Sequence, residues 1–226
     1  MIISTEGRFV SNRFFITLLI AMAVLIGGFA FTKQKNNPGT GSSTSVQPTN
    51  HVKGSGSSDI VLAEYGDFQC PACGQYYPLV KQVYEKYKDQ VKIQFRHFPL
   101  VQIHKNAFVS SRAAEAASNQ DKFWEMHDLL YENQQTWSEA NNPNTIFDGY
   151  AKQLGLDVTR FQQDMASQAT NDKINADIAE GKNLGANSTP TFVINGKKLE
   201  ENPNNFEAFV QLIDDAIKAK QASPSN

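Results

Sequence analysis

Hydrophobic and polar positions alternate along the chain with periods that change at definite points. Asp59-Ile60-Val61-Leu62-Ala63-Glu64-Tyr65 is a short apolar run with β-branched residues, ended by Gly66, and it reads as a buried strand. From Gly74 to Lys88 apolar side chains recur at Tyr76, Tyr77, Leu79, Val80, Val83, Tyr84 and Tyr87, the spacing of one helix face. Pro71 suits the first turn of that helix, where a missing N–H is no loss. Val91 to Phe98 alternates strictly and predicts a second strand. These three pieces make a β-α-β unit with parallel strands.

Residues 104–184 carry helical stripes. They run through Ala107, Phe108, Ser111 and Ala114; through Phe123, Trp124, His127, Leu130 and Tyr131; through Ile146, Phe147, Tyr150 and Leu154; and through Ile174, Ile178 and Leu184. Gly155 and Gly185 stand where the last two stop, as C′ residues do. Thr191–Ile194 and Lys197–Leu199 flank Asn195-Gly196, a strong hairpin signal. Phe206, Phe209, Leu212, Ile213, Ala216 and Ile217 stripe a last helix. The order predicts an α/β domain over 59–222 with a helical insertion at about 104–184, and no internal repeat.

Two different segments precede that domain. Residues 14–32 carry no charge, and as a helix they come close to the roughly 30 Å hydrocarbon core of a bilayer. Arg8 and Arg13 lie before them, Lys33 and Lys35 after, so charge alone does not set an orientation. The expectation is a cytoplasmic tail at 1–13 and a retained transmembrane signal-anchor at 14–32, with the rest extracytoplasmic. The alternative is secretion after cleavage near Gly28-Phe29-Ala30, although the apolar run exceeds the about 7–15 residues of a usual signal peptide's apolar region. Residues 33–58 read as a disordered linker, because 18 of the 26 are Gly, Ser, Thr, Pro or Asn and so little surface can be buried. Its span as a coil is roughly 25–30 Å.

Charge and composition narrow the function classes. The net charge of −2 and the 22 acidic against 16 basic residues from residue 59 onward give no basic excess for nucleic acid and no attraction to an anionic membrane surface. The 40% hydrophobic content supports a real core. Cys70 and Cys73 are the two cysteines, which excludes a disulfide-stapled scaffold and a four-cysteine zinc site.

Cys70-Pro71-Ala72-Cys73 falls between a buried strand and a helix start. Free N–H groups and the positive end of the helix dipole stabilise a thiolate there, and such a thiol can fall from about 8.5 to about 3.5–7.5. Cys70 is then the exposed attacking thiol and Cys73, one turn inward, the buried resolving thiol, working through a mixed disulfide. The competing readings are a metal half-site, an inert bridge or two buried thiols. His97 and His104 have six residues between them, outside the usual metal spacing, and a structural bridge closing so short a loop adds little stability. No metal and no cofactor are expected. Thr189-Pro190, before the strand at Thr191, is a candidate cis bond.

Glu64–Cys73, EYGDFQCPAC, resembles the active-site segment of DsbA-like thiol–disulfide oxidoreductases of the thioredoxin superfamily. Phe123–Tyr131 resembles a segment of that family's helical insertion, and Ser188–Gly196 its cis-proline loop and hairpin. The resemblance covers about 59–220, with the three motifs in order. It implies a thioredoxin fold interrupted by a helical domain, a cis Thr189-Pro190 bond beside the sulfurs, and substrate backbone pairing near Thr189 by strand addition. It implies that Glu64, otherwise readable as a solvent-facing strand residue, is buried and relays protons to Cys73. It implies reoxidation by a quinone-linked membrane thiol oxidase. Pro71-Ala72 departs from the best-known members, which carry a histidine between the cysteines that helps stabilise the thiolate; without it the potential is expected to be less oxidising.

The expected function is an extracytoplasmic oxidase that introduces disulfides into exported proteins with free cysteines. The alternatives are a membrane-tethered reductase or isomerase, and a non-catalytic peptide-binding module. Among the remaining residues, His127 and Trp137 are expected to be packed, His104 to open the insertion, and Lys197-Lys198 to form a solvated tip.

Overall fold

The computed structural model describes residues 46–222. Strands β1 (His51–Lys53), β2 (Ile60–Gly66) and β3 (Val91–His97) and helix α1 (Pro71–Tyr87) come first. Six helices follow: α2 (Ala107–Ser118), α3 (Phe123–Glu132), α4 (Gln134–Trp137), α5 (Asn144–Gln153), α6 (Val158–Ala166) and α7 (Gln168–Asn183). Strands β4 (Thr191–Ile194) and β5 (Lys197–Lys198) and helix α8 (Phe206–Ala222) close the described chain. The expectations for residues 1–13, for the apolar run 14–32 and for the linker up to residue 45 lie outside the described residues. Among those described, no helix is long and apolar enough to cross a membrane.

The sheet order is β1-β3-β2-β4-β5, with β2 and β3 parallel and the other neighbours antiparallel. The central strand β2 is covered on both faces. Ile60 and Leu62 join Val80, Val83, Tyr87, Phe192, Phe209 and Ile213, so α1 and α8 pack on that face. Ala63 and Tyr65 point the other way, toward Val193, Phe98 and the α7 residue Ile178. This opposite pointing of successive residues is the pleat itself.

Helix α7 comes so close to the sheet that a Cβ on Gly181 would lie 2.8 Å from both Phe98 and Tyr65. Tyr65 donates to Glu180 at 2.6 Å, and Arg96 pairs with Glu180 at 3.1 Å. At the hairpin, Asn195 and Gly196 both have positive φ, 50° and 79°, as a type I′ turn requires. A third core fills the helical block, where α2 alanines 113, 114, 116 and 117 pack with Met126, Leu130, Trp137, Phe147 and Phe161.

One boundary differs from the sequence expectation. Residues 46–58 belong to the expected linker, yet β1 forms within them and pairs with β3, His51 opposite Phe95. Apolar burial is not the reason. Thr49 donates twice to the buried carboxylate of Asp177, from its N–H and its hydroxyl, both at 2.6 Å. Lys53 lies over the rings of Trp124 and Tyr84. Ser55, Ser57 and Ser58 donate to the Asp89 and Gln90 carbonyls. Polar and backbone contacts thus order a stretch whose composition lacks aliphatic mass.

Phe192 is fully buried between the strands and α8. Phe192→Ala is expected to cost about 3–5 kcal/mol, read as a lower urea midpoint. Ile103→Ala, at a side chain 72% exposed, should stay within about 0.5 kcal/mol of the parent.

Candidate active site

Strand β2 ends at Gly66, and four residues later α1 begins with Cys70 as its N-cap and Pro71 in the first turn. Two polar residues shape the turn between them. Asp67 is fully buried; its carboxylate accepts from the Gln69 N–H at 2.8 Å and the Leu100 N–H at 2.9 Å, and pairs with His104 Nδ1 at 2.6 Å. The Asp67 carbonyl accepts the Cys70 N–H at 3.0 Å. Gln134 donates from its side chain to the carbonyls of Phe68 and Cys70, at 2.7 and 2.9 Å.

The insertion is stitched to the same turn. Gln69 accepts from the Asn106 N–H at 2.6 Å and donates to the Ser138 carbonyl at 2.7 Å. Asn106 donates to the carbonyls of Trp137, Ser138 and Ala140. The sequence reading missed Asp67, Gln69, Asn106 and Gln134. The signal that could have found the first two is a pair of polar residues in the turn between a buried strand and a redox pair.

Cys70 and Cys73 are free thiols in this structure. Cys73 is fully buried as expected, but Cys70 is only 7% exposed, much less than the exposed thiol expected. The thiol of Cys70 donates to the Thr189 carbonyl at 3.4 Å, so the loop before β4 covers it. The Thr189-Pro190 peptide is cis. The structure therefore brings Cys70, Cys73, Pro71, Ala72, Thr189 and Pro190 into one place.

As N-cap, Cys70 stands where a Ser or Asp side chain would accept from the N–H groups of the second and third helical residues, here Ala72 and Cys73. Its pKa falls to about 5. The largest cause is the neighbouring Cys73 thiol; the Thr189 side chain and the N–H groups of Cys73 and Ala72 add to it, although no cap hydrogen bond closes on the sulfur, and burial opposes it. Burial pushes Cys73 well above the usual thiol range, and the charges of Cys70 and Glu64 push it further.

Glu64 is buried, not solvent-facing, and sits between Phe95 and Phe192 in the sheet register. Burial raises its pKa to about 8, with Lys53 pulling the other way. One carboxyl oxygen has no hydrogen-bond partner among the described residues. It borders a cavity of about 10 Å³ lined also by Lys53, Tyr77, Trp124 and His127, room for about one water.

The remaining histidines are directed to carboxylates. His104 serves Asp67, and His97 meets Glu115, so neither is aimed at the sulfurs. His127 is packed among Phe68, Phe95, Trp124 and Tyr131, and burial lowers its pKa to about 4. Trp137 is fully buried and donates to the Leu130 carbonyl at 2.8 Å.

Two titrations of opposite sign follow. The Cys70 thiol loses its proton near pH 5 when folded and nearer 9 when unfolded, so its stabilisation grows with pH across that window and is lost as pH falls through 5. Glu64 holds its proton to about pH 8 when folded against 4.5 unfolded, so its stabilisation shrinks as pH rises through that window. Each slope is about 1.4 kcal/mol per pH unit. His127, at about 4 when folded against 6.5 unfolded, adds a rise with pH below 6.5, so the reduced protein should show a nearly flat stability only between about pH 6.5 and 8. Over that range reduced Glu64→Gln should gain stability with pH, and the oxidised parent, lacking the thiol, should lose it. Urea unfolding across pH checks all three, and thiolate ultraviolet absorbance should titrate near pH 5.

The Thioredoxin family model matches residues 46–215. The chain is 34% identical over 174 residues to the Na(+)/H(+) antiporter NhaA 1 of Salinispora arenicola, covering 77% of this chain and 26% of that protein. It thus spans about a quarter of the length of the curated relatives it matches. A thioredoxin-like oxidoreductase from Silicibacter pomeroyi superposes with a TM-score of 0.62 at 25% identity, covering 78% of this chain and 95% of the other. Alpha-DsbA1 of Wolbachia pipientis superposes with a TM-score of 0.66 at 21% identity, covering 78% and 94%, a likeness of fold. The family model covers well over half of the chain, and the superpositions agree with it in fold: the chain belongs to the thioredoxin family.

Proposed function

We propose that the protein is an extracytoplasmic thiol–disulfide oxidoreductase that introduces disulfides into exported proteins. The observation that carries this is the pair at the start of α1, with Cys70 at the N-cap and its pKa drawn down to about 5, and Cys73 buried one turn inward with its pKa pushed well up. A dithiol stabilised in this way makes its disulfide oxidising.

In the oxidised protein, a substrate thiolate attacks Sγ of Cys70. The Cys70–Cys73 bond breaks, a mixed disulfide forms, and Cys73 leaves as a thiolate. Cys73 retains a proton far above neutral pH, so it must be protonated as it leaves. Glu64, protonated up to about pH 8, supplies that proton and recovers it through the small cavity beside Lys53 and His127. A second substrate thiolate attacks the substrate sulfur of the mixed disulfide. Cys70 then departs as a thiolate, a good leaving group because its pKa is low. Two electrons have passed from the substrate dithiol to the cysteine pair.

The segment at Thr189-Pro190, adjoining Cys70, is the place for substrate backbone to pair as an added strand. A polar groove of about 550 Å³ at the start of α1, lined by Pro71, Gly74, Gln75, Asn133 and Gln134, accommodates flanking substrate residues. The apolar run 14–32 tethers the domain to the membrane, and a quinone-linked membrane thiol oxidase restores the disulfide. Two cysteines, both in one motif, suit an oxidising compartment.

The equilibrium with glutathione tests direction: a potential well above about −270 mV is expected, and a value near it makes the protein a reductase. Cys70→Ser should abolish disulfide transfer, and Cys73→Ser should accumulate the mixed disulfide. Glu64→Gln should slow Cys73-dependent steps by at least about 10²-fold with the Cys70 titration retained. For location, a single cysteine placed within residues 33–45 should react with an impermeant alkylating reagent on intact cells.

A further inference from the structure

Away from the thiols, three elements aim side chains at one point. His51 lies on β1, His97 on β3 and Glu115 on α2. Since His51 pairs opposite Phe95, His97 is its diagonal neighbour on the same face, within reach across the ladder. Both imidazoles present Nε2 to the same carboxylate oxygen, Oε1 of Glu115, His97 at 2.9 Å and His51 in direct contact. The three atoms lie within 4.8 Å of one another.

The rings are fixed and the surroundings dry. His51 stacks on Phe123 with centroids 3.5 Å apart, and His97 meets Phe68, Phe95 and Phe123 edge-on. Glu115 and His97 are fully buried, while the His51 side chain, 10% exposed, provides a way in. Lys173 Nζ lies 3.4 Å from the other oxygen of Glu115 and so orients the carboxylate with Oε1 toward the imidazoles, as outer groups do around metal ligands.

We propose that His51, His97 and Glu115 bind a divalent transition-metal ion of the zinc class, which fastens strand β1 to helix α2. Two imidazole nitrogens and one carboxylate oxygen are the donors such ions take. Calcium and magnesium need six or more oxygens, which these aromatic walls do not offer. Zinc bonds of about 2.0–2.1 Å set ligand atoms a little over 3 Å apart, so the hydrogen-bonded contacts of both imidazoles with Glu115 would open slightly to admit the ion. With three protein ligands, the fourth position would be left to water. The ion replaces whatever protons the imidazoles direct at Glu115, and no electron transfer is involved. Its role is structural: β1 is a three-residue edge strand, and the ion adds bonds to an attachment that otherwise rests on polar contacts.

The test uses the full chain in detergent with Cys70 and Cys73 oxidised, so that thiolates cannot compete. Zinc chloride is titrated calorimetrically. One equivalent is expected to bind and to raise the thermal midpoint, and chelation should reverse the rise. His51→Gln, at the most exposed ligand, should weaken binding at least about 100-fold, and His97→Gln likewise. Cobalt loaded in place of zinc should give ligand-field bands without thiolate charge-transfer absorption. Absence of binding, binding unchanged in His51→Gln, or thiolate bands would each overturn the proposal and leave a hydrogen-bonded triad.

Discussion

A buried thiolate persists only where donors converge on it, and here the whole site depends on the N-terminus of α1. Pro71 supplies no N–H, so the first donors to face Cys70 are those of Ala72 and Cys73. They carry the partial positive charge of the helix end. Cys73 adds its own S–H, which is the largest contribution. In the proposed mechanism the inner thiol therefore does more than wait to resolve a mixed disulfide. Its remaining protonated lowers the pKa of the outer thiol, and burial is what keeps it protonated.

That arrangement requires the turn after β2 to hold one shape. Asp67 is a buried carboxylate with four polar contacts to the turn and to the loop after β3, counting its backbone carbonyl. Removing such a group would leave several buried donors without a partner, at about 1–3 kcal/mol each. Gln134 fixes the same turn from the far side, and Gln69 and Asn106 tie it to the insertion. The helical block is thereby part of the redox site: it supplies the polar groups that hold Cys70 at the helix start.

The periodicity of the chain carried the fold well. The β-α-β unit, the hairpin at Asn195-Gly196 and the stripes of α2, α3, α5, α7 and α8 are all visible, because apolar spacing reports directly on which face is buried. Cys70 and Cys73 were legible because three-residue spacing at a strand-to-helix junction has few other uses. The 7% exposure of Cys70 was not, since its cover comes from Thr189, 119 residues away. β1 escaped notice for a related reason. Thr49 is held by Asp177, and His51 by Glu115 and Phe123, long-range polar and ring contacts that leave no local period. The convergence of His51, His97 and Glu115 was hidden likewise, because strand pairing and helix packing bring the three together.

The order in which the three acidic groups release protons governs the redox chemistry. Cys70 ionises near pH 5, Glu64 near 8, and Cys73 later than both. Three negative charges cannot gather in one buried site, and each ionisation raises the others. Between pH 5 and 8, reducing the disulfide therefore takes up one proton for two electrons, the one that Cys73 keeps. A tenfold change in a two-electron equilibrium is about 30 mV, so the potential falls by about 30 mV per pH unit in that range. Below pH 5 both thiols are protonated on reduction and the fall doubles. Ionising one thiol of the pair, by its buried neighbour and the helix end together, therefore both raises the oxidising strength of the disulfide and halves its sensitivity to neutral-range pH.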